Sequence, residues 1–173
     1  MDDNDGHQTV TPLLCASRDG HLDVVRYLIG HQGAPVGSSD NDGQTPLHFA
    51  SRNGHLDVVR YLIGHQGAPV GSSDNDGQTP LHCAARDSHL DVVRYLIGHG
   101  APIDRGDNDE ETPLHFASRN GHLNVVRYLV VQGALVDAGD NDGQTPCYLA
   151  SNFGHLDVVQ YLISQGAQVN VGE

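Results

Sequence analysis

The sequence predicts an all-α repeat fold, a helix-turn-helix solenoid with hairpin-like finger loops, and two observations lead to this prediction. The dipeptide Thr-Pro recurs every 33 or 34 residues, at Thr11, Thr45, Thr79, Thr112 and Thr145. Residues 11–44 and 45–78 differ at only three positions. A fixed period of this length indicates a stack of similar supersecondary units rather than a single globule.

Each unit contains the signals for two helices and a loop. Thr45 can cap a first helix, Pro46 suits the first helical position, and Gly54 can end that helix in a left-handed conformation. A second helix with one apolar stripe follows and closes at Gly67. Residues 68–77 contain Pro, Gly and the turn sequence Asp-Asn-Asp-Gly, which predicts an extended loop that we call the finger.

The period divides the chain into a short extension and five repeats. Residues 1–10 form the N-terminal extension or partial finger, and the repeats are residues 11–44, 45–78, 79–111, 112–144 and 145–173, the last resembling a cap.

Two departures from the repeat pattern concern backbone conformation. Ser88 replaces the glycine between the two helices of a repeat, and Glu110 replaces the glycine of the finger. We therefore expect a positive φ, which costs a side-chain-bearing residue free energy, at Ser88.

The strings TPLHFASRNGHLDVVRYLIGHQGAPV and DNDGQTPLH closely resemble the ankyrin repeat family, and the pattern covers Thr11 to Val169. The resemblance implies antiparallel helix pairs in an L-shaped stack. It also implies a non-enzymatic role in binding other proteins, through the concave face that the first helices and the fingers form. We thus predict a protein-protein interaction scaffold. The alternative is a structural spacer, or a fragment of a near-consensus array, with no partner of its own.

In the family's architecture, the ends of the first helices and the finger tips face the concave groove. The residues that we expect to bind a partner there are Arg18, Asp19, Asn41, Asp42, Arg52, Asn53, Asn75, Asp76, Arg86, Asp87, Asp109, Arg119, Asn120, Asn152 and Phe153. The first aspartate of each finger is expected to serve the turn instead. Four arginines of the second helices, Arg26, Arg60, Arg94 and Arg127, are interpreted as exposed partners of the side chain three residues earlier.

Charge and composition exclude several classes of function. Nine arginines and no lysine face 22 acidic residues, so the net charge is −13, which argues against nucleic acid and anionic membranes as partners. No apolar run approaches the roughly 18–20 residues of a membrane span. Three cysteines make no disulfide framework and indicate a reducing compartment. We predict an intracellular, cytoplasmic monomer.

No residue pattern indicates catalysis, a cofactor or a metal. Equivalent histidines of neighbouring repeats should lie about 10 Å apart, too far to share a zinc ion whose ligands lie about 2 Å from it. We expect these histidines to form structural hydrogen bonds, and the three cysteines to be buried. The repeated Asp-Asn-Asp-Gly lacks the glutamate of a calcium loop. No phosphate loop or nucleophile elbow is present.

Overall fold

The structure, a computed structural model, describes residues 10–169. It contains ten α-helices and no strand within those residues, so the predicted all-α solenoid is confirmed. Each repeat supplies a first helix of seven residues and a second helix of nine. The helices are α1 (Pro12–Arg18), α2 (Leu22–Gly30), α3 (Pro46–Arg52), α4 (Leu56–Gly64), α5 (Pro80–Arg86), α6 (Leu90–Gly98), α7 (Pro113–Arg119), α8 (Leu123–Val131), α9 (Pro146–Asn152) and α10 (Leu156–Ser164).

A single hydrophobic core runs through all five repeats. Each first helix packs against the first helices of the neighbouring repeats and against the second helix of its own repeat. The leucine that follows the helix-initiating proline, as in Leu47, Leu81 and Leu114, is fully buried in this core. Because the repeats stack in one direction, the first helices and fingers form one surface, the inner face, and the second helices form the outer face.

A histidine clamp ties the start of a first helix to the next finger. Thr79 N–H donates to His82 Nδ1 over 3.0 Å, and the Thr79 hydroxyl lies 2.9 Å from the same nitrogen. The opposite ring nitrogen, His82 Nε2, donates to the carbonyl oxygen of Glu111 over 3.0 Å. Equivalent clamps are formed by His48 and His115. The expectation that these histidines form structural hydrogen bonds is therefore confirmed for His48, His82 and His115.

The turn between the two helices of a repeat has the conformation that the sequence predicts. The backbone has φ of 74° at Gly20 and at Gly54, and 64° at Ser88. Across this turn, His55 Nε2 donates to the carbonyl oxygen of Arg18 over 2.9 Å, which joins the first two repeats. The positive φ expected at Ser88 is thus confirmed, and this serine lies in a region that glycine occupies at lower cost.

On the outer face, the arginines contact aromatic rings rather than acidic side chains. The guanidinium carbons of Arg26, Arg60, Arg94 and Arg127 lie 5.0–5.6 Å from the ring centroid of the tyrosine in the next repeat. None of these arginines forms an ion pair within residues 10–169. Their interpretation as partners of the residue three positions earlier is therefore wrong, because the neighbouring repeat offers a ring face to the cation at each step.

No helix within the described residues combines the length and the apolar character that crossing a membrane requires.

Candidate protein-interaction surface

The tips of the fingers form a hydrogen-bonded row along one edge of the array. Asn75 Nδ2 donates to the carbonyl oxygen of Asn41 over 2.9 Å, and the backbone N–H of Asn75 donates to the carbonyl oxygen of Asp42 over 2.9 Å. In the next finger, Asn108 makes the same two bonds to the carbonyl oxygens of Asn75 and Asp76. The tip asparagines therefore connect each finger to its neighbour and make the row one continuous platform.

The two aspartates of a finger have different roles. Asp74 is buried, and its Oδ1 accepts hydrogen bonds from the backbone N–H groups of Asp76 and Gln78 over 3.1 and 2.9 Å. The first aspartate of the other fingers makes the same pair of bonds, at Asp40, Asp107 and Asp140. Its expected role in the turn is confirmed. The second aspartate is exposed in every finger, at Asp42, Asp76, Asp109 and Asp142.

Two arginines of the inner face enclose one aromatic ring. The guanidinium carbon of Arg86 lies 4.7 Å, and that of Arg119 5.7 Å, from the ring centroid of Phe116. Arg119 also forms a salt bridge with Glu111, in which Nη1 donates to Oε2 over 3.0 Å. Arg86 donates to the side-chain oxygen of Gln78. Both cations are half-buried, and groups of the same chain already satisfy them.

The other arginines of this row are engaged as well. Arg18 Nε donates to Asp19 Oδ1 over 2.9 Å, and this bond holds the pKa of the Asp19 carboxyl below its ordinary value. Arg52 lies with its guanidinium carbon 6.0 Å from the ring centroid of Phe49, and its Nη2 contacts the sulfur of Cys83 at 3.8 Å. The arginines of this row are therefore all in contact with groups of the same chain.

The whole sequence agrees with one family pattern. A family model described as "Ankyrin repeats (3 copies)" matches residues 1–74, 65–140 and 102–173. The chain belongs to the ankyrin repeat family. No curated protein matches it. Ankyrin repeats are generally protein-protein interaction modules, and the family typically serves as a non-enzymatic scaffold.

The predicted site residues of this ankyrin array are exposed to different degrees. Three of them are half-buried, namely Arg52, Arg86 and Arg119. The others are exposed: Arg18, Asp19, Asn41, Asp42, Asn53, Asn75, Asp76, Asp87, Asp109, Asn120, Asn152 and Phe153. The pairing of Glu111 with Arg119 was not predicted from the sequence. The available signal was that Glu111 replaces the glutamine that the other fingers carry at this position.

Burial suppresses the reactivity of three histidines, His48, His82 and His115, and of two cysteines, Cys83 and Cys147. Desolvation lowers the pKa of His82 to about 4, so its imidazole is neutral near pH 7. It also raises the pKa of the Cys83 and Cys147 thiols, which keeps them protonated and poorly nucleophilic. Cys15 is half-buried rather than buried as expected. Within residues 10–169, no three His, Cys, Asp or Glu side chains are placed to hold a metal ion.

Proposed function

We propose that this ankyrin repeat protein is a non-enzymatic, intracellular scaffold that binds a basic segment of a partner protein through its concave face. The observation that carries the proposal is the row of exposed carboxylates on the finger platform. One aspartate projects from the same place in each of four successive fingers. Equivalent positions of neighbouring repeats lie about 10 Å apart, a spacing that an extended chain with several basic side chains can follow.

The fixed backbone beneath these carboxylates supports a binding role. Each finger bonds to the next through an asparagine side chain and a backbone amide. A partner therefore meets charges whose positions are already set, which reduces the entropy lost on binding. The arginines of the inner face do not neutralise the finger aspartates, because they contact Asp19, Glu111 and aromatic rings instead.

The finger aspartates offer a cleaner test than the arginines. Replacing Arg119 by glutamate would place a second carboxylate beside the buried Glu111 and destabilise the fold. The triple variant Asp76→Asn, Asp109→Asn and Asp142→Asn keeps side-chain size and removes three exposed charges. We expect this variant to bind the partner more weakly and to show a flatter dependence of association rate on salt, since exposed charges act mainly by steering.

A second triple variant controls for net charge. Asp23→Asn, Asp57→Asn and Asp91→Asn remove the same number of charges from exposed positions of the outer face. Quantitative affinity capture from cell extract would compare both variants with the wild-type protein. The proposal requires a saturable partner that the finger variant loses and the outer-face variant retains. Equal loss with both variants would contradict the assignment of the face, and no saturable partner at all would favour the spacer alternative.

A further inference from the structure

Two large apolar side chains are exposed in the interior of the array, where the repeat pattern does not require them. Most exposed large apolar residues among the described ones lie in the terminal repeats or immediately before the first, where stacking ends: Val10, Val24, Tyr27, Tyr148, Phe153, Leu156, Ile163 and Val169. The exceptions are Val131, which is 73% exposed, and Leu135, which is 61% exposed. Both belong to the fourth repeat and lie at or just beyond the end of its second helix.

The outer face of the fourth repeat differs from that of the preceding repeats. The second helices α2, α4 and α6 have the identical sequence LDVVRYLIG, whereas α8 reads LNVVRYLVV. Val131 therefore replaces a glycine, and Asn124 replaces an aspartate at an exposed position. Leu135 replaces the proline of the following loop. Together these changes remove a negative charge and add apolar surface on one side of one repeat.

A groove between α6 and α8 contains two of these three substituted positions, Asn124 and Val131, whereas Leu135 is not part of its lining. Leu90, Tyr128 and Val131 provide its apolar lining, and Arg94 and Arg127 lie along it. The guanidinium carbon of Arg94 lies 5.2 Å from the ring centroid of Tyr128, so the cation rests on the ring. Neither arginine has a hydrogen bond or an ion pair to another residue within positions 10–169. Their N–H donors are therefore available to an incoming carboxylate.

The local balance of charge favours an acidic ligand. The residues that line this groove include two cations, Arg94 and Arg127, and no acidic side chain, because position 124 is a neutral asparagine. Asp91 of α6 lines a separate hollow together with Arg94. One Asp91 carboxylate oxygen already accepts the backbone N–H of Val92 over 2.8 Å. A cation that is held on an aromatic face and lacks an acidic partner can bind a carboxylate without first breaking an existing ion pair.

We propose that the groove between α6 and α8 binds an acidic, amphipathic helical segment of a partner protein. Apolar side chains of that segment pack on Leu90, Tyr128 and Val131, and its carboxylates accept hydrogen bonds from Arg94 and Arg127. The apolar lining favours an amphipathic segment over a nucleic acid backbone, which has no apolar side chains to pack on it. This site lies on the opposite side of the array from the fingers, so it is independent of the concave-face function proposed above.

The probe for this site is a fluorescently labelled helical peptide with leucines at positions i, i+4 and i+7 and glutamates on both flanks of that face. Fluorescence anisotropy would compare the wild-type protein with the double variant Arg127→Gln and Val131→Ser. The fifth repeat carries these same residues at the equivalent positions, Gln160 and Ser164, so both are compatible with the helix. We expect the variant to bind the peptide about tenfold more weakly or worse.

A matched variant in the second repeat controls for the change of residue type. Arg60→Gln removes an arginine with the same ring contact from a helix that ends in Gly64 instead of valine, and we expect it to bind the peptide as the wild type does. Circular dichroism would check that all variants are folded. Equal binding by the double variant, equal binding of a peptide with lysines in place of the glutamates, or no binding to the wild type would overturn the proposal. Preference for a single-stranded oligonucleotide would also overturn it.

Discussion

Replacing Ser88 by glycine should stabilise the array. Ser88 has φ of 64°, whereas the equivalent residue of the other repeats is glycine with φ between 71° and 79°. A residue with a Cβ atom loses roughly 1–2 kcal/mol in this left-handed region. Glycine removes that cost but gains conformational freedom in the unfolded chain, which offsets roughly 0.5–1 kcal/mol. The net increase in the free energy of unfolding should be about 1 kcal/mol at most.

The surroundings of the turn favour glycine as well. A Cβ atom added at Gly54 would lie 2.4 Å from His89 Nδ1, and one added at Gly121 would lie 2.4 Å from His155 Nδ1. The corresponding ring beside Ser88 belongs to His122, whose Nε2 still donates to the carbonyl oxygen of Arg86 over 2.7 Å. Ser88 carries a Cβ atom that the other turns lack, so Ser88→Gly should relieve the backbone while the His122 hydrogen bond stays in place.

Urea unfolding of the wild type and of Ser88→Gly would measure the gain as a shift in midpoint at equal slope. Because each repeat is held by its neighbours, and the third lies at the centre, the whole array should respond. Ser88→Ala is the matched control, since it retains a Cβ at positive φ and should bring no comparable gain. A midpoint for Ser88→Gly that stays unchanged or falls would refute the reasoning, as would an equal gain from alanine.

Three further predictions concern the same array. Glu110 has φ of 61°, so Glu110→Gly should raise the free energy of unfolding by up to about 1 kcal/mol for the same reason, and Glu110→Ala should not, by urea unfolding. Ser118 has a buried hydroxyl without a hydrogen-bond partner within the described residues, and the third repeat has Ala85 at the equivalent position. Ser118→Ala should therefore raise the free energy of unfolding by about 1 kcal/mol, and a lower thermal midpoint would contradict this. Burial lowers the pKa of His82 from 6.5 to about 4, so the unfolded chain binds the proton first as pH falls. The stability that this histidine contributes should be complete above pH 6.5 and decline by about 3 kcal/mol towards pH 4, and a urea midpoint that does not change with pH over that range would contradict it.

Sequence alone could predict the parts of this fold that depend only on residues of a single repeat. Thr79 and Pro80 mark a helix start, and the period aligns Ser88 with glycines, so both the helix and the positive φ follow from local rules. The histidine clamp is also local at one end, where His82 bonds back to Thr79. Its other end, at the carbonyl oxygen of Glu111, becomes apparent only once the repeats are stacked.

The candidate site was harder to predict because its arginines are paired with residues that lie outside their own helices. Arg119 meets Glu111 eight positions earlier, across the turn that begins α7. Arg86 meets the ring of Phe116 in the next repeat. Neither contact follows from the spacing of charges along one helix, which is the signal that a sequence offers. The sequence therefore shows that arginines recur at equivalent positions, at Arg18, Arg52, Arg86 and Arg119, but not which groups of the same chain each of them contacts.

In an array this regular, the residues that depart from the pattern carry the information about individual surfaces. Residues shared by all repeats build the stack, such as the buried alanine of each first helix at Ala16, Ala50, Ala84, Ala117 and Ala150. Asn124 and Val131 contribute little to that stack because both are exposed. Exposed departures cost little stability, so they can change what a surface binds without weakening the fold. The groove between α6 and α8 therefore differs in its side chains from the grooves between the other pairs of second helices, although the same helix-turn-helix backbone forms all of them.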